Sequence, residues 1–227
     1  EQATSVDDET LQIHLGRYRF AAKYLQPGTV ADIACGVGYG SDMLIQLRPE
    51  IISHIYAVDN NPEAIRYATH RYCNDKISFI CADAMEFRSP EPLDNVVSLE
   101  TIEHLTNPEQ FIRIQASQLA PGGHFIASVP ITPSVDINPW HLNDFTPAKF
   151  IKVFTENGFS VVEQFRQEQS FNPFRLVINR DKRLSGLRKN LMNFYWNNPG
   201  KFFLRLRSLL FDGFHNKYLV VVFRKNY

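Results

Sequence analysis

The feature that most constrains this chain is an apolar run that ends in three closely spaced glycines. Residues 30–34 read Val-Ala-Asp-Ile-Ala, and Gly36, Gly38 and Gly40 follow. An apolar run bounded by glycines predicts a buried strand and a tight turn, here with a helix starting near Ser41. Glycine also lets the backbone approach a ligand closely. The sequence therefore predicts a parallel α/β sheet with a small-molecule site at the carboxyl end of this strand.

The glycine stretch differs from the pattern of dinucleotide sites. That pattern is Gly-x-Gly-x-x-Gly, which places a pyrophosphate at a helix N-terminus, and Ser41 occupies its last position here. The negative charge of Asp32 disfavours a pyrophosphate and suits a cationic cofactor. The stretch resembles motif I of the class I S-adenosylmethionine (SAM)-dependent methyltransferases, Asp-x-x-x-Gly-x-Gly, with Ala34 where many members have another glycine. The resemblance implies that SAM is the cofactor.

A second acidic residue follows at the end of the next predicted strand. Asp59 lies 23 residues after Gly36. A carboxylate at the tip of the second strand can accept hydrogen bonds from both hydroxyls of a ribose. It could instead cap the helix that starts near Pro62, although Asn60 or Asn61 would serve equally well and leave Asp59 free.

The resemblance extends over residues 15–165. Asp83, after the predicted third strand, matches the family's aspartate that binds the adenine amino group, and residues 119–123 match the family's Leu-x-Pro-Gly-Gly. The family resemblance implies an α/β fold, a doubly wound, seven-stranded, mostly parallel Rossmann-like sheet. The residues that it implies for cofactor binding are Asp32, Ala34, Gly36, Gly38, Asp59, Asn60, Asp83, Ala84, Leu99 and Glu100.

Acidic and histidine side chains cluster at the end of the fourth predicted strand. Glu100, Glu103 and His104 are spaced i, i+3, i+4, which predicts that they share one face of a helical turn. Carboxylates and imidazole suit Mg²⁺, Mn²⁺ or a similar ion. With His141 downstream, the layout resembles the ubiquinone-pathway O-methyltransferases and the small-RNA 2′-hydroxyl methyltransferases. In the RNA enzymes both acids and both histidines bind Mg²⁺, which implies the same four residues as metal ligands here.

An alternative without a metal stays open for these residues. Glu-His-Leu is widespread at this position in small-molecule methyltransferases with no established metal. There His104 acts as a base or hydrogen-bonds within the site, and Glu103 can be a charge favoured by a helix dipole. His141 can be a packed loop residue beside Trp140. His104 and Glu103 are therefore the catalytic candidates under either interpretation.

A long insertion is predicted before the last strand. Strands six and seven, predicted at residues 159–165 and 217–224, usually form a tight antiparallel pair in this family, but roughly 50 residues separate them here. Residues 170–216 are rich in aromatic and basic side chains, and we predict an inserted helical cap. A substrate cap and a homodimer contact are equal alternatives. Peripheral membrane contact through the basic, amphipathic residues 201–211 is a third.

Charge and composition narrow the classes of protein to which this chain can belong. The 24 Lys+Arg balance the 24 Asp+Glu, yet Asp181 and Asp212 are the only acidic residues after residue 179. The basic end is either a binding surface or a segment that packs on the acidic body. Three cysteines without a Cys-x-x-Cys pair, no apolar run of membrane-spanning length and no signal-peptide pattern predict a single cytoplasmic methyltransferase domain over residues 1–227.

These observations predict SAM-dependent transfer of a methyl group to a hydroxyl of a small molecule, such as a sugar or a lipid- or polyketide-type metabolite. Metal-dependent RNA 2′-O-methylation is an alternative, favoured by the four potential ligands and the basic end. The acidic body disfavours nucleic acid as a partner, because RNA-binding proteins usually carry a clear basic surface. A SAM-binding protein without turnover is a third hypothesis, and Glu103 and His104 argue against it.

Overall fold

The computed structural model describes residues 8–170, 188–213 and 215–227. The strands are β1 (Gly28–Ile33), β2 (Ile52–Asp59), β3 (Ile77–Cys81), β4 (Leu93–Leu99), β5 (Leu119–Pro130), β6 (Phe159–Ser170) and β7 (His215–Lys225). The helices are α1 (Asp8–Lys23), α2 (Tyr39–Leu47), α3 (Pro62–Arg71), α4 (Pro108–Gln118), α5 (Pro147–Thr155), α6 (Leu191–Asn197) and α7 (Pro199–Asp212). A single 3-10 turn, Ile102–His104, follows β4.

The strands form one seven-stranded sheet in the order β3-β2-β1-β4-β5-β7-β6. Strands β1 to β5 pair in parallel, and β7 runs antiparallel to both β5 and β6. This arrangement confirms the predicted doubly wound, mostly parallel sheet. Since β1 pairs with both β2 and β4, the chain reverses its winding direction at β1. Ligands of open α/β sheets bind at such a reversal.

Apolar side chains cover both faces of the sheet. On one face, the rings of Phe154 and Phe223 stack with centroids 3.8 Å apart, which joins α5 to β7. On the other face, Ala21 of α1 and Leu44 of α2 are fully buried against the sheet, together with Val30 of β1. Packing on both faces makes the central strands a rigid support for the loops at their carboxyl ends.

Three helices begin with a side-chain cap followed by proline. Asn61 accepts the N–H groups of Glu63 and Ala64 at the start of α3, while Asn107 and Thr146 cap α4 and α5. Proline fits the next position because its missing N–H would have no helical partner there. Asn61 is thus the cap that leaves the side chain of Asp59 free for other contacts.

The β6–β7 hairpin is longer than predicted. Strand β6 continues to Ser170 and β7 starts at His215, where the sequence predicted residues 159–165 and 217–224. The insertion therefore comprises residues 171–214. Its described part, residues 188–213, is helical and consists of α6 and α7, whereas residues 171–187 of the predicted cap lie outside the described residues.

None of the helices in the described ranges is long and apolar enough to cross a membrane. Helix α7 nevertheless exposes large apolar side chains, with Phe203 65% and Leu210 73% exposed. A peripheral membrane contact through residues 201–211 and a homodimer contact both stay predictions.

Candidate active site

The glycine turn, residues 34–40, connects β1 to α2, and its glycines have different roles. Gly38 has a φ of 83°, and a Cβ there would lie 2.7 Å from both Ala68 and Phe79. A Cβ on Gly40 would lie 1.9 Å from the ring of Tyr18. Gly36 has a φ of 56°, but no atom of the described residues lies within 4 Å of a Cβ built there. Packing therefore requires Gly38 and Gly40, while Gly36 borders open space.

Asp59 ties the glycine turn to the end of β2. Its Oδ2 accepts the N–H of Gly36 at 2.8 Å, and its Oδ1 accepts the N–H of Asn61 at 2.9 Å. Each carboxylate oxygen can accept a further hydrogen bond. The side chain is thus oriented by backbone donors and retains capacity for a ligand.

A cavity of about 650 Å³ opens at the carboxyl ends of the central strands. The predicted cofactor residues that line it are Ala34, Asp59, Asn60, Asp83, Ala84 and Glu100. His104 lines the same cavity. One continuous space therefore runs from the two aspartates at β2 and β3 to an imidazole after β4, and it has the size of typical small-molecule pockets.

Asp32 lies beneath the glycine turn and does not line this cavity. It is completely buried, and it accepts hydrogen bonds from Ser41 Oγ at 2.6 Å and from the Tyr18 hydroxyl at 3.3 Å. Burial raises its pKa to about 6, although these hydrogen bonds act to lower it. Its visible role is to support the turn. Gly36, Gly38 and Leu99 are also absent from the lining of the cavity.

A buried arginine on α1 was missed by the sequence interpretation. Arg17 is 1% exposed, its Nη1 lies 3.7 Å from Glu100 Oε1, and its guanidinium stacks on the ring of Tyr218. Within the described parts of the chain, both terminal nitrogens lack a hydrogen-bond partner. An arginine on an amphipathic helix is ordinarily exposed, so no sequence signal marked it. A buried cation with free donors suits an anionic ligand group.

Three of the predicted residues, Glu103, His104 and His141, form a compact group that we call the histidine cluster. One potential ligand atom of each lies within 4.8 Å of the others, and the two imidazole rings are 4.6 Å apart. Glu103 is completely buried, and neither carboxylate oxygen has a hydrogen-bond partner among the described residues. Burial, with the nearby charge of Glu100, raises the pKa of Glu103 well above its usual value. A buried acid without a partner is costly unless it binds a proton or a cation.

Both imidazoles of the cluster are oriented through Nδ1. His104 Nδ1 lies 3.0 Å from the carbonyl oxygen of Trp140, which can only accept, so Nδ1 carries the proton and Nε2 has a free lone pair. His141 Nδ1 lies 2.7 Å from Ser134 Oγ. Burial and the neighbouring His104 lower the pKa of His141 to about 4. His141 is therefore held by Ser134 through Nδ1, and Nε2 is its remaining nitrogen.

Glu100 lies outside the histidine cluster, contrary to the expected grouping. It has a φ of 57°, so the chain turns away from helical geometry at this residue, and the 3-10 turn includes only Ile102–His104. Its Oε1 accepts a hydrogen bond from Ser128 Oγ at 2.7 Å. The predicted helical face that would join Glu100 to Glu103 and His104 is wrong. Residues spaced i, i+3, i+4 share one face only when the backbone between them is helical, and here it leaves the α region at Glu100.

Two basic residues near the end of the chain pack on acidic residues of the body. Arg205 pairs with Asp136, which is 1% exposed, and Lys201 pairs with Asp144. These two cations are therefore not part of a free basic surface. Residues 188–213 do not line the 650 Å³ cavity, and they contact the loop between β5 and α5 instead. The substrate-cap role stays a prediction.

Comparison with known proteins gives a consistent family assignment. A family model described as a methyltransferase domain matches residues 31–127. A probable S-adenosylmethionine-dependent methyltransferase of Mycolicibacterium smegmatis is 27% identical over 139 residues, or 58% of this chain and 52% of the relative. A malonyl-[acyl-carrier protein] O-methyltransferase of Anoxybacillus flavithermus is 33% identical over 102 residues, or 45% of this chain and 39% of the relative. The matches thus span about half the length of these relatives or less.

The fold agrees with this assignment over nearly the whole chain. The crystal structure of the N-methyltransferase NodS from Bradyrhizobium japonicum WM9, in complex with S-adenosyl-L-homocysteine, superposes with a TM-score of 0.63 at 17% identity. The superposition covers 97% of this chain and 89% of that one. Residues 31–127 therefore match a methyltransferase domain, and the sheet order and the glycine turn agree with those of the class I, SAM-dependent methyltransferases.

Proposed function

We propose that this protein transfers the methyl group of SAM to an oxygen atom of a small molecule. The observation that carries the proposal is the single cavity that joins Asp59 and Asp83 to His104. When bound, SAM supplies a methyl group that its positive sulfur already activates. The chain must therefore mainly bind, orient and exclude water, since positioning accounts for much of the acceleration of such transfers.

The residues in and beside the cavity fit the parts of SAM by their chemistry. Asp59 keeps lone pairs for ribose hydroxyls, and the carboxylate of Asp83 suits the adenine amino group. Open space above Gly36, which borders the turn and does not line the cavity, allows a ligand to approach the backbone. The buried guanidinium of Arg17 lies 3.7 Å from Glu100 of the cavity lining, its two terminal nitrogens lack a hydrogen-bond partner among the described residues, and it suits the carboxylate of the amino-acid end. When no cation is bound, His104 Nε2 can accept a proton from the acceptor hydroxyl.

Calorimetric titration with SAM, S-adenosylhomocysteine and NADH tests the donor assignment. We expect the first two to bind and NADH not to bind. Asp59→Asn should weaken SAM binding by about 10- to 100-fold, because a charged hydrogen-bond acceptor contributes roughly 1.5–3 kcal/mol. Asp75→Asn is the matched control, since Asp75 is exposed and outside the cavity. Retention of NADH without uptake of SAM would overturn the proposal.

We further propose that the histidine cluster binds a divalent cation that would assist loss of the acceptor proton. The support is the buried Glu103 carboxylate, which has no hydrogen-bond partner among the described residues, beside two imidazoles that are each held through Nδ1. Imidazole ligands held through Nδ1 by a carbonyl or hydroxyl are typical of metal sites. Glu103, His104 and His141 fit such an ion, and the fourth predicted ligand, Glu100, does not belong to this set.

Titration with Mn²⁺, followed by electron paramagnetic resonance of the free ion, tests the cation site. We expect binding by the wild type and its loss in Glu103→Gln and His141→Gln. Glu100→Gln is the discriminating variant, because a site built only on the histidine cluster retains Mn²⁺ affinity when Glu100 changes. Binding that survives Glu103→Gln would place the ion outside the histidine cluster, and no Mn²⁺ binding by the wild type would mean that His104 acts without a metal ion.

The choice of oxygen over nitrogen as acceptor rests on the relatives and the cluster. One relative is named an O-methyltransferase, whereas the structural neighbour NodS is named an N-methyltransferase, so the fold alone does not decide. Paired acceptors that differ only in a hydroxyl or an amine separate the two. We expect S-adenosylhomocysteine release with sugar, phenol or carboxylic acid acceptors. Release with the amines alone would contradict oxygen as the acceptor.

RNA as the acceptor receives less support than a small molecule. Arg205 and Lys201 pair with acidic residues of the body, so they are not available to phosphates. A filter-binding assay at increasing salt concentration gives the test, because phosphate contacts make affinity strongly salt-dependent. Salt-sensitive binding of short RNA would restore this alternative.

A further inference from the structure

The loop between β5 and α5 carries His141 of the histidine cluster, and the insertion contacts the central turn of this loop. In this turn, residues 133–137, the carbonyl oxygen of Ser134 accepts the N–H groups of Ile137 and Asn138. The Ser134 hydroxyl lies 2.7 Å from His141 Nδ1. The orientation of the His141 ring therefore depends on where the 133–137 turn places Ser134.

Side chains of the insertion donate hydrogen bonds to acceptors of the 133–137 turn. Arg205 donates to the carbonyl oxygen of Pro133 and, through Nε and Nη2, to the carboxylate of Asp136 at 2.8 and 2.6 Å. Tyr195 donates to the same carboxylate at 2.6 Å. Asp136 is 1% exposed, so its charge would be costly without these partners.

Arg188 completes this set of contacts at the start of the described insertion. Its backbone N–H donates to the carbonyl oxygen of Ile137 at 2.8 Å, and its side chain donates to those of Asp136 and Val135 at 3.1 and 3.2 Å. The guanidinium also lies over the ring of Phe194. Arg188 and Arg205 thus bind backbone groups on the two sides of Ser134.

The ends of the loop have other attachments. The N–H of Ile131 donates to the carbonyl oxygen of Lys217, and the N–H groups of Leu142 and Asn143 donate to that of Glu103. Asp144 accepts the N–H of Ser134 at 2.8 Å and is itself paired with Lys201 of α7. The carbonyl groups and the carboxylate of the 133–137 turn therefore rely on the insertion, whereas Ile131, Leu142 and Asn143 are held by other elements and Asp144 has contacts of both kinds.

We propose that the insertion is a positioning clamp, in which Arg205 and Arg188 fix the 133–137 turn so that Ser134 sets the ring orientation of His141. The inference rests on the proposed function, because His141 matters there as a member of the histidine cluster. His104 is affected less, since Trp140, which orients it, lies next to the end of the loop that Glu103 holds. The clamp explains why a methyltransferase of this chain length carries helices that do not line its cavity.

Ring ¹⁵N–¹H correlation spectra of the histidines test the clamp directly in the full-length protein. We expect His141 in the wild type to show one tautomer with well-separated nitrogen signals. In Arg205→Gln these signals should move towards the average of two tautomers, while those of His124, which bonds to Tyr24, stay unchanged. Arg113→Gln is the matched control, because Arg113 is exposed and pairs only with Glu109 on α4 among the described residues.

Two milder variants keep the test informative should Arg205→Gln fail to fold. Tyr195→Phe removes one hydrogen bond to Asp136, and Ser134→Ala removes the last link to His141. Each should shift the His141 signals, with the larger shift in Ser134→Ala. Unchanged His141 signals in these variants, or a lower melting temperature of Arg205→Gln without a ring shift, would overturn the clamp.

Calorimetry with SAM on the same samples separates this inference from the proposed function. The clamp predicts that Arg205→Gln binds SAM within about twofold of the wild type, because Asp59 and Asp83 lie at the other end of the cavity. Absence of SAM binding by the wild type would contradict the proposed function, whereas the ring spectra would still decide whether the clamp exists.

Discussion

The cavity has two ends that are built in different ways. We call the end at Asp59 and Asp83, where SAM is proposed to bind, the donor end, and the end at His104 the acceptor end. At the donor end, contacts join residues close in sequence, such as Ser41 with Asp32, nine positions apart, and Gly36 with Asp59, 23 apart. At the acceptor end, Arg205 reaches Asp136 over 69 positions and His104 reaches Trp140 over 36. These donor-end contacts therefore lie within stretches that a short motif can cover. The acceptor-end contacts join distant segments, which no local sequence pattern reveals.

The buried carboxyl groups at the two ends, Asp32 and Asp136, also differ in whether a positively charged side chain lies beside them. Asp32 has hydroxyl partners only, and burial raises its pKa to about 6. Asp136 is buried too, which acts to raise its pKa, but hydrogen bonds from Arg205 and Tyr195 lower the pKa below its usual value. A neutral partner does not compensate a buried charge, whereas a guanidinium does. The comparison gives five predictions, from the largest effect to the smallest.

Gly40→Ala should cause the largest loss of stability, about 3 kcal/mol or more. Its Cβ would overlap the ring of Tyr18, which is buried and bonded to Asp32, so the ring has no simple way to move. Urea unfolding measures the effect. Gly200→Ala is the control, since no atom of the described residues beyond its own helix and chain neighbours lies within 4 Å of a Cβ at Gly200. Equal stability of the two variants would mean that α1 does not pack on the glycine turn as described.

Asp32→Asn should change the pH dependence of stability by up to about 3 kcal/mol. The folded-state pKa is raised from 3.8 to about 6, so the wild type loses stability as the pH rises from about 4 to about 6. The asparagine variant lacks this loss, and the difference in unfolding free energy should grow over that range in its favour. Denaturant titrations at pH 4, 5, 6 and 7 measure it.

Asp136→Asn gives the opposite sign and serves as the contrast to Asp32→Asn. Its lowered folded-state pKa means that the carboxylate stabilises the wild type above the ordinary aspartate pKa and that this contribution is lost as the pH falls through the lower folded value. The advantage of the wild type over this variant should therefore shrink at acidic pH. Parallel pH profiles of the two variants would contradict the proposed difference between the ends.

Gly36→Ala should cost only about 1 kcal/mol of stability but weaken SAM binding at least tenfold. The stability cost comes from a positive φ in a residue with a Cβ, while the space around that Cβ is open in the described structure. The binding loss follows if that space belongs to the ligand. Urea unfolding and calorimetry separate the two quantities. Unchanged affinity would place SAM elsewhere.

Lys201→Met should have the smallest effect, under about 1 kcal/mol. Its ammonium pairs with Asp144 but is 36% exposed, and solvent weakens exposed ion pairs. Thermal unfolding at low and high salt measures it, with Lys152→Met, another exposed ion pair on α5, as the control. A loss of several kcal/mol would mean that the insertion depends on this pair far more than its exposure suggests.

Local sequence patterns predicted much of the donor end. The glycine turn and the asparagine cap of α3 follow from turn and capping chemistry. Asp59 followed from its position at the end of a predicted strand, and Asp83 from the family resemblance. The sheet order followed from the family resemblance. The grouping of Glu100 with Glu103 failed because a positive φ at Glu100 breaks the assumed helix. Arg17 was missed because its burial depends on Tyr218 and Gln167, which are some 150 or more positions away in the chain.

Helix α7 is attached to the body by its charged side chains, and its apolar side chains point outward. Arg205 and Lys201 face the body, while Phe203, Leu206 and Leu210 are exposed. Most surface helices have the reverse arrangement. Concentrated salt should therefore act on this helix in two ways, because it screens the more exposed ion pair and strengthens association of the apolar side chains. Buffers used to keep the protein dispersed in solution should accordingly be chosen at low rather than high ionic strength.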